Sequence, residues 1–483
     1  MDNPLDLGSL RAAFSGRLLD NTDDMAPFLT DYRGRFTGRA LAVVLPDSAT
    51  DVAAVVRWCA THRMAVVPQG GNTGLVGGGV PNETGQSVLL SLQRMQRVLE
   101  IDPLNNTLTV QAGCILANVQ EAARKANRLF PLSLGAEGSC TIGGNLATNA
   151  GGIQVLRYGN ARDLCLGLEV VTADGHIWNG LRSLRKDNTG YDLKQFFIGS
   201  EGTLGIITAA TLKLYPQPAA QMTAFAAVPT AFAALKLFEL AQRRLAATLT
   251  AFELLDAECV DVIERNSPCR KPLQVDSPFY VLLESSDPTS AERATENFQA
   301  LMEEAMETGI VSDAAVATSL SQSDSFWALR HHVAEAQARE GENLKHDISL
   351  PISRIPQFIE EARAAITAKD PSLRIISFGH MGDGNLHYNI SPRRGADAAE
   401  YASFRAGEKK LSALVYEVVS CLNGSISAEH GIGALKMSDN ARYKTALELR
   451  LMADIKRALD PQGVFNPGRL FPVEQPANNA TRS

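Results

Sequence analysis

The chain holds only 8 histidines in 483 residues, yet His380 and His387 bracket one short glycine-rich turn, GHMGDGNLHYN. IISFGH and LHYNI read as two short strands joined by a tight connection, so the spacing brings two imidazoles to one end of a hairpin. His387 and Asn389 fall on one face, because side chains alternate along a strand. A further ligand is offered by SISAEHGIG, where Glu429 precedes His430. Two imidazoles and a carboxylate around an open position form a catalytic zinc pattern. Manganese or iron(II) accepts the same donors. Adjacent residues in an extended segment cannot point one way, so Glu429 is read as the ligand and His430 as the base, an imidazole titrating near neutral pH. A plain hairpin with polar histidines is the structural alternative. A flavin-free metallohydrolase using the same three ligands and an activated water is the chemical one.

Glycine-rich text upstream carries a second chemistry. VVPQGGNTGLVGGGVP sets Gly70, Gly71 and Gly74 around Asn72 and Thr73, directly after the apolar run MAVV. Bare backbone approaches a ligand closely, and successive amides make a nest suited to phosphate. The spacing meets neither the P-loop nor the Rossmann fingerprint. GAEGSCTIGGNLATNAGG adds Gly138, Ser139, Gly143 and Asn145, then Thr148, Asn149 and Gly151. These small hydroxyl and amide side chains offer hydrogen bonds without filling volume. IGSEGTLGII adds Gly202 and Ile207 in the same style. A large flat ligand with a diphosphate arm fits such surroundings.

Other elements must hold these residues in place. From about residue 40 to 215 the text is strand-like and glycine-punctuated. ALAVVLP, DVAAVVRWCATHR and MAVVP read as strand, helix and strand, a βαβ unit. SVLLSL, TLTVQAG, LGLEVVTADG and LGIITAATLKLYP are expected strands, and NVQEAARKANR an expected helix. After PQPAAQ, amphipathic helices (FAALKLFELAQRR, SAERATENFQALMEEAMETG, DSFWALRHHVAEAQARE, SRIPQFIEEARAAITAK) alternate with the strands FYVLLES and LKHDISLP and the histidine hairpin. This predicts a second, α+β domain on an antiparallel sheet. A last helix, TALELRLMADIKRALDP, leads into GVFNPGRLF.

Composition narrows the function classes. With 45% hydrophobic and 20% charged residues, the chain reads as globular. A net charge of −7 with no basic stripe argues against a nucleic-acid partner. Seven cysteines without a C-x-x-C pair read as reduced thiols, which with an acid-bearing N-terminus predicts the cytoplasm. No apolar run reaches the ~18–20 residues of a membrane span. The polar tail PANNATRS is expected to fray.

The motifs together resemble a known family. PQGGNTG, the GGN-ATNAGG run and GSEGTLGII are similar to the PCMH-type FAD-binding domain of the vanillyl-alcohol-oxidase superfamily. That resemblance implies FAD, with the first loop around the diphosphate and a contact from Asn466 in FNPGRL. Asn72 stands where some members carry a flavin-linked histidine, so noncovalent FAD is expected. SLRKDNTGYDLKQFFIGSEGTLGIIT, FWALRHHVAEA, LKHDISLP, GHMGDGNLH and SAEHGIG extend the resemblance, from Tyr32 to Phe471, to FAD-dependent D-2-hydroxyacid dehydrogenases, in particular those oxidising D-2-hydroxyglutarate to 2-oxoglutarate. By resemblance, His380, His387 and Glu429 hold zinc. Arg330 and Lys345 take the substrate carboxylate, Asn389 touches the substrate, and His430 is the base. The family's hydroxyl-bearing contact four residues after Arg330 is Ala334 here, which leaves D-lactate, glycolate and D-malate as alternatives. The expected organisation is an N-terminal segment (1–35), the FAD-binding domain (36–215), the substrate domain (216–425), and a C-terminal segment (426–483) returning to the flavin. An electron-transfer flavoprotein or a quinone is the implied electron acceptor, and the resemblance allows a homodimer.

Overall fold

A computed structural model describes residues 7–472 of the chain. Residues 1–6 and the polar tail from Pro476 lie outside the described residues. The N-terminal half carries two main sheets and a two-stranded ribbon of Arg128–Leu129 with Tyr215–Pro216. In the first, Arg17–Leu19, Ala42–Leu45, Ser87–Ser91 and Ala65–Gln69 lie side by side in that order. The helix Ala49–Thr61 links Ala42–Leu45 to Ala65–Gln69, as the βαβ pattern predicts, but those strands are not neighbours. Ser87–Ser91 runs parallel to both and separates them. All five of its residues are buried, and a strand apolar on both faces takes an interior place in a sheet.

The second sheet is antiparallel: Val98–Asp102, Thr107–Gln111, Ile206–Lys213, Cys165–Val171 and Ile177–Gly180. The two sheets share one hydrophobic core, which Val464 and Phe465 enter from the far end of the chain. That return is pinned by backbone bonds, Val66 N–H to Val464 O at 2.7 Å and Asn466 N–H to Val66 O at 2.9 Å. On the helix Ala446–Leu459, buried Lys456 donates to Thr203 O at 2.7 Å and to Phe465 O at 2.9 Å, fixing the last segment to the glycine-rich half.

The C-terminal half is one seven-stranded antiparallel sheet, in the order Asp313–Val316, Ala220–Val228, Phe279–Asp287, Leu249–Asp256, Arg374–Gly379, Asn385–Ser391 and Leu344–Ser349. Helices Ala231–Leu245, Ala291–Glu307, Ile355–Lys369 and Ala398–Cys421 cover one face. Ala257–Asn266, Leu320–His331 and Val333–Arg339 cover the other. The single helix expected across DSFWALRHHVAEAQARE is therefore two. His332 sits between them and its Nδ1 lies 2.8 Å from the Ala328 carbonyl, drawing the ring back onto the preceding turn. Ala220–Val228, Leu249–Asp256 and the 24-residue helix Ala398–Cys421 have no counterpart among the expected elements. The helix buries only five of its residues, Phe404, Leu411, Val415, Tyr416 and Val419, so its apolar periodicity is weak in the sequence.

Candidate active site

The histidine hairpin forms as its spacing predicts. Arg374–Gly379 and Asn385–Ser391 pair antiparallel, with Phe378 opposite His387. On its other edge Asn385–Ser391 pairs with Leu344–Ser349, which sets Asp347 opposite His387 and Lys345 opposite Asn389. Cross-strand partners share a face, so one surface of the sheet edge carries these four groups in two successive rows.

His380, at the turn, and His387 stand with ring centroids 5.8 Å apart. The potential ligand atoms of His380, His387 and Glu429 lie within 4.8 Å of one another, and so do those of Asp347, His387 and His430. Glu429 and His430 sit in a bend rather than an extended strand, yet their side chains diverge. Glu429 Oε1 lies 3.4 Å from His380 Nε2, while the His430 ring stacks beside His387 at 5.9 Å. Buried Asp347 holds the pair in place by accepting the backbone N–H groups of Glu429 at 2.9 Å and His430 at 2.8 Å, and the Asn385 side-chain amide at 2.8 Å.

Glu253, fully buried in Leu249–Asp256, is the other anchor. One oxygen meets His380 Nδ1 at 2.5 Å and the other accepts from Arg330 Nε at 2.6 Å. This turns His380 Nε2 toward Glu429, the way an outer carboxylate orients a ligating histidine. Arg330 is thereby half committed, and only its terminal nitrogens can meet a substrate. Asn389 Nδ2 donates to Gln337 Oε1 at 2.8 Å, leaving Asn389 Oδ1 buried with no partner. Glu253 and Asp347 were missed in the sequence because a strand acid carries no local sign of its partners, here 127 and 82 residues away.

Burial sets the charge states. It drives His387 well below the usual imidazole range and lowers His430, outweighing the Asp347 charge that raises both. Both rings are therefore neutral at pH 7 and able to ligate or take a proton. Burial alone would lower His380 as well, but Glu253 and Glu429 reverse that and raise it to about 9. Burial pushes the Glu429 carboxyl up to about 8. Those values leave a proton on His380 and on Glu429 at pH 7, which a divalent cation would displace on binding; two imidazoles and a carboxylate are the donor types such a cation takes, so the residues fit a metal.

The glycine patches meet around one cavity with about 970 Å³ of atom-free space, part of it open to solvent. Gly70, Gly71, Asn72, Thr73 and Gly74 line it, as do Gly143, Asn145 and Thr148, and from the third patch Gly202 and Ile207. Gly138, Ser139, Asn149, Gly151 and Asn466 are outside the lining. Ser139 instead offers its carbonyl to close packing against Gly71, and Asn149 accepts from Arg162 N–H at 3.0 Å. Asn466 donates to Gly78 O at 2.9 Å and Glu201 O at 2.8 Å, which leaves its Oδ1 buried and unpartnered. Thr141 Oγ1, in the lining, is likewise orphaned. Unsatisfied polar atoms over a bare backbone cradle fit a polar cofactor.

Cavity and histidine cluster are joined. Glu201 lines the cavity, and its carboxylate accepts the N–H groups of Ile432 and Gly433 at 2.7 Å each, two and three residues past His430. A Cβ on Gly151 would lie 3.7 Å from Glu429 Oε1. Among the described residues no helix is long and apolar enough to cross a membrane.

Residues 40–180 match the FAD binding domain, and residues 217–470 match the C-terminal domain of FAD linked oxidases. The chain is 40% identical to the mitochondrial D-2-hydroxyglutarate dehydrogenase of Danio rerio, covering 97% of this chain and 85% of the relative. The chain belongs to the FAD-dependent D-2-hydroxyacid dehydrogenase family. The family's FAD-binding domain removes the flavin-free hydrolase alternative. A D-2-hydroxyglutarate dehydrogenase of Xanthomonas citri pv. viticola is 38% identical, with 99% of each chain covered. A putative mitochondrial D-lactate dehydrogenase of Schizosaccharomyces pombe is 37% identical over 94% of this chain and 87% of its own. Among solved structures, p-cresol methylhydroxylase superimposes with a TM-score of 0.74 at 15% identity, covering 96% of both chains, a likeness of fold.

Proposed function

We propose that the protein oxidises D-2-hydroxyglutarate to 2-oxoglutarate, with His380, His387 and Glu429 holding a divalent cation, zinc first, beside noncovalent FAD. The observation that carries this reading is Glu201, which lines the cofactor cavity while its carboxylate fixes the segment just after His430. When bound, FAD supplies the hydride acceptor and the cation a Lewis acid for the substrate oxygen.

This chain's residues supply the rest. His430, kept neutral by burial, takes the hydroxyl proton as the Cα–H bond gives up its hydride. The terminal nitrogens of Arg330 hold the carboxylate next to the reacting carbon, and Lys345 the far one. The orphaned Asn389 Oδ1 accepts a substrate hydrogen bond. Asp347 and Glu253 keep these groups in register. None of the cavity-lining residues is His, Cys or Tyr, which supports noncovalent flavin. We assign 36–215 to the cofactor, 216–425 to the acid, and 426–483 to both. Reoxidation by an electron-transfer flavoprotein or a quinone, a homodimer and a cytoplasmic location complete the proposal. All seven cysteines are free, which fits any reducing compartment, including the mitochondrial one in the relatives' names.

D-lactate is the second reading, favoured by the Schizosaccharomyces pombe relative's name and by Ala334, which offers no hydroxyl to a substrate. Anaerobic mixing of the yellow holoprotein with D- and L-2-hydroxyacids decides. The expected result is flavin bleaching fastest with D-2-hydroxyglutarate and absent with the L-acids. Fastest bleaching with D-lactate would transfer the assignment to the second reading.

A further inference from the structure

The turn between Thr30 and Thr37, which bridge to each other as paired residues, spans the two halves of the molecule. Asp31 closes it by accepting the Phe36 N–H at 2.8 Å. On one side it rests on the cofactor cradle. Asn72 Nδ2 donates to Thr30 O at 2.8 Å, Asp31 lines the cavity, and the Phe36 ring lies against Gly77. On the other side Arg35 reaches Glu408 Oε1 at 3.1 Å, on the helix Ala398–Cys421. That helix packs on the strand carrying Lys345, with Ser412 Oγ 3.1 Å from His346 Nε2. Arg33 therefore lies between the cofactor cradle and the helix that packs on the edge strand.

Arg33 and Lys345 are both partly buried, and among the described residues neither makes an ion pair, although the nearby Asp31 charge favours the Arg33 cation. Burial, and then the Arg33 charge, hold the Lys345 ammonium down to about 8. Two cations in partly dry surroundings repel each other unless an anion lies between them. The sheet register supplies a ruler. Lys345 and Asn389 form the row two residues along from Asp347 and His387. Same-face rows on a strand are roughly 6.6 Å apart. A 2-hydroxydiacid with its hydroxyl end at His387 extends its far carboxylate toward the next row, one methylene further in a five-carbon acid than in a four-carbon one, and a monoacid has nothing to place there.

We propose that Arg33 and Lys345 jointly bind the distal carboxylate of the substrate, and that Arg33 sets the preference for a five-carbon diacid over shorter acids. This rests on the D-2-hydroxyacid reading above and deepens it. It offers a replacement for the hydroxyl contact that Ala334 cannot make.

The test compares wild type, Arg33→Ala and Arg33→Gln holoprotein in two measurements: anaerobic flavin reduction by D-2-hydroxyglutarate, D-malate and D-lactate, and calorimetric binding of unreactive glutarate. Either substitution is expected to raise KM for D-2-hydroxyglutarate and weaken glutarate about 10- to 100-fold, the worth of one charge-assisted contact. D-lactate kinetics should stay within about twofold of wild type, since no contact to it is lost. Arg33→Lys should recover part of the loss. Arg35→Ala, which removes only the Glu408 pair, should leave the selectivity in place. Arg33→Gln keeps a polar side chain without the charge and decides the matter if the alanine variant sheds its FAD. Unchanged glutarate affinity, or an equal loss toward D-lactate, would overturn the role of Arg33. If no D-2-hydroxyacid bleached the wild type, the functional reading would fail, and glutarate affinity would still decide this one.

Discussion

On the proposed function, the two halves of the site solve binding in opposite ways. The cofactor cavity is walled by glycine, small amides and hydroxyls, and its specificity is one of shape and backbone amides. The histidine cluster is walled by ionisable side chains, each fixed by another that lies far away in the chain. A cofactor with a long polar arm can be held by many weak contacts spread over three loops. A small acid must be held and deprotonated at one spot, which takes a few strong charges in a dry place. Damage should differ accordingly. Changes in the cradle should act through volume and flavin occupancy, and changes in the cluster through charge and rate.

The largest effect is expected at His430. His430→Ala should slow flavin reduction by about 10²- to 10⁴-fold while FAD content and metal content stay at wild-type levels. Flavin reduction at the wild-type rate in that variant would remove it as the base. Glu253→Gln comes next. It breaks a buried carboxylate held by His380 and Arg330, at a cost of about 3–5 kcal/mol in unfolding free energy. Denaturant unfolding of the C-terminal half measures that cost, and metal content should fall with it as His380 loses its orientation. A stability equal to wild type would mean that Glu253 anchors neither group.

Gly71→Ala probes the cradle instead. Its new Cβ would run into the Ser139 carbonyl oxygen, an overpacking that costs about 1–3 kcal/mol. Purified protein should carry less FAD yet keep its metal, the reverse of the pattern at the cluster. Loss of metal with FAD retained would break the division between the halves. The smallest effect is the pH dependence from Lys345, held down to about 8. Its ammonium is charged below that value and neutral above it. So kcat/KM for D-2-hydroxyglutarate should fall as pH rises through about 8, by at most about tenfold per pH unit. The D-lactate profile should lack this limb, and Arg33→Ala should move it to higher pH.

What could be read from the sequence divides along the same line. The glycine patches and the histidine hairpin were legible because each is a local pattern, with the spacing carrying the geometry. Glu253, Asp347 and Glu201 were not, since a single acid in a strand or loop declares nothing until distant segments fold onto it. Arg33 lay in a segment without periodicity, and its position depends on a turn that touches both halves. The βαβ pattern gave the strands Ala42–Leu45 and Ala65–Gln69 but not their order in the sheet, where Ser87–Ser91 lies between them.

The central claim is that one divalent cation held by His380, His387 and Glu429 works beside the flavin on the same substrate. Anaerobic stopped-flow of protein with full FAD but metal removed, verified by elemental analysis, tests it. The account predicts that D-2-hydroxyglutarate no longer bleaches the flavin at a measurable rate, and that one equivalent of zinc restores bleaching in wild type but not in His387→Ala. Bleaching at the full rate in the metal-free protein would contradict it.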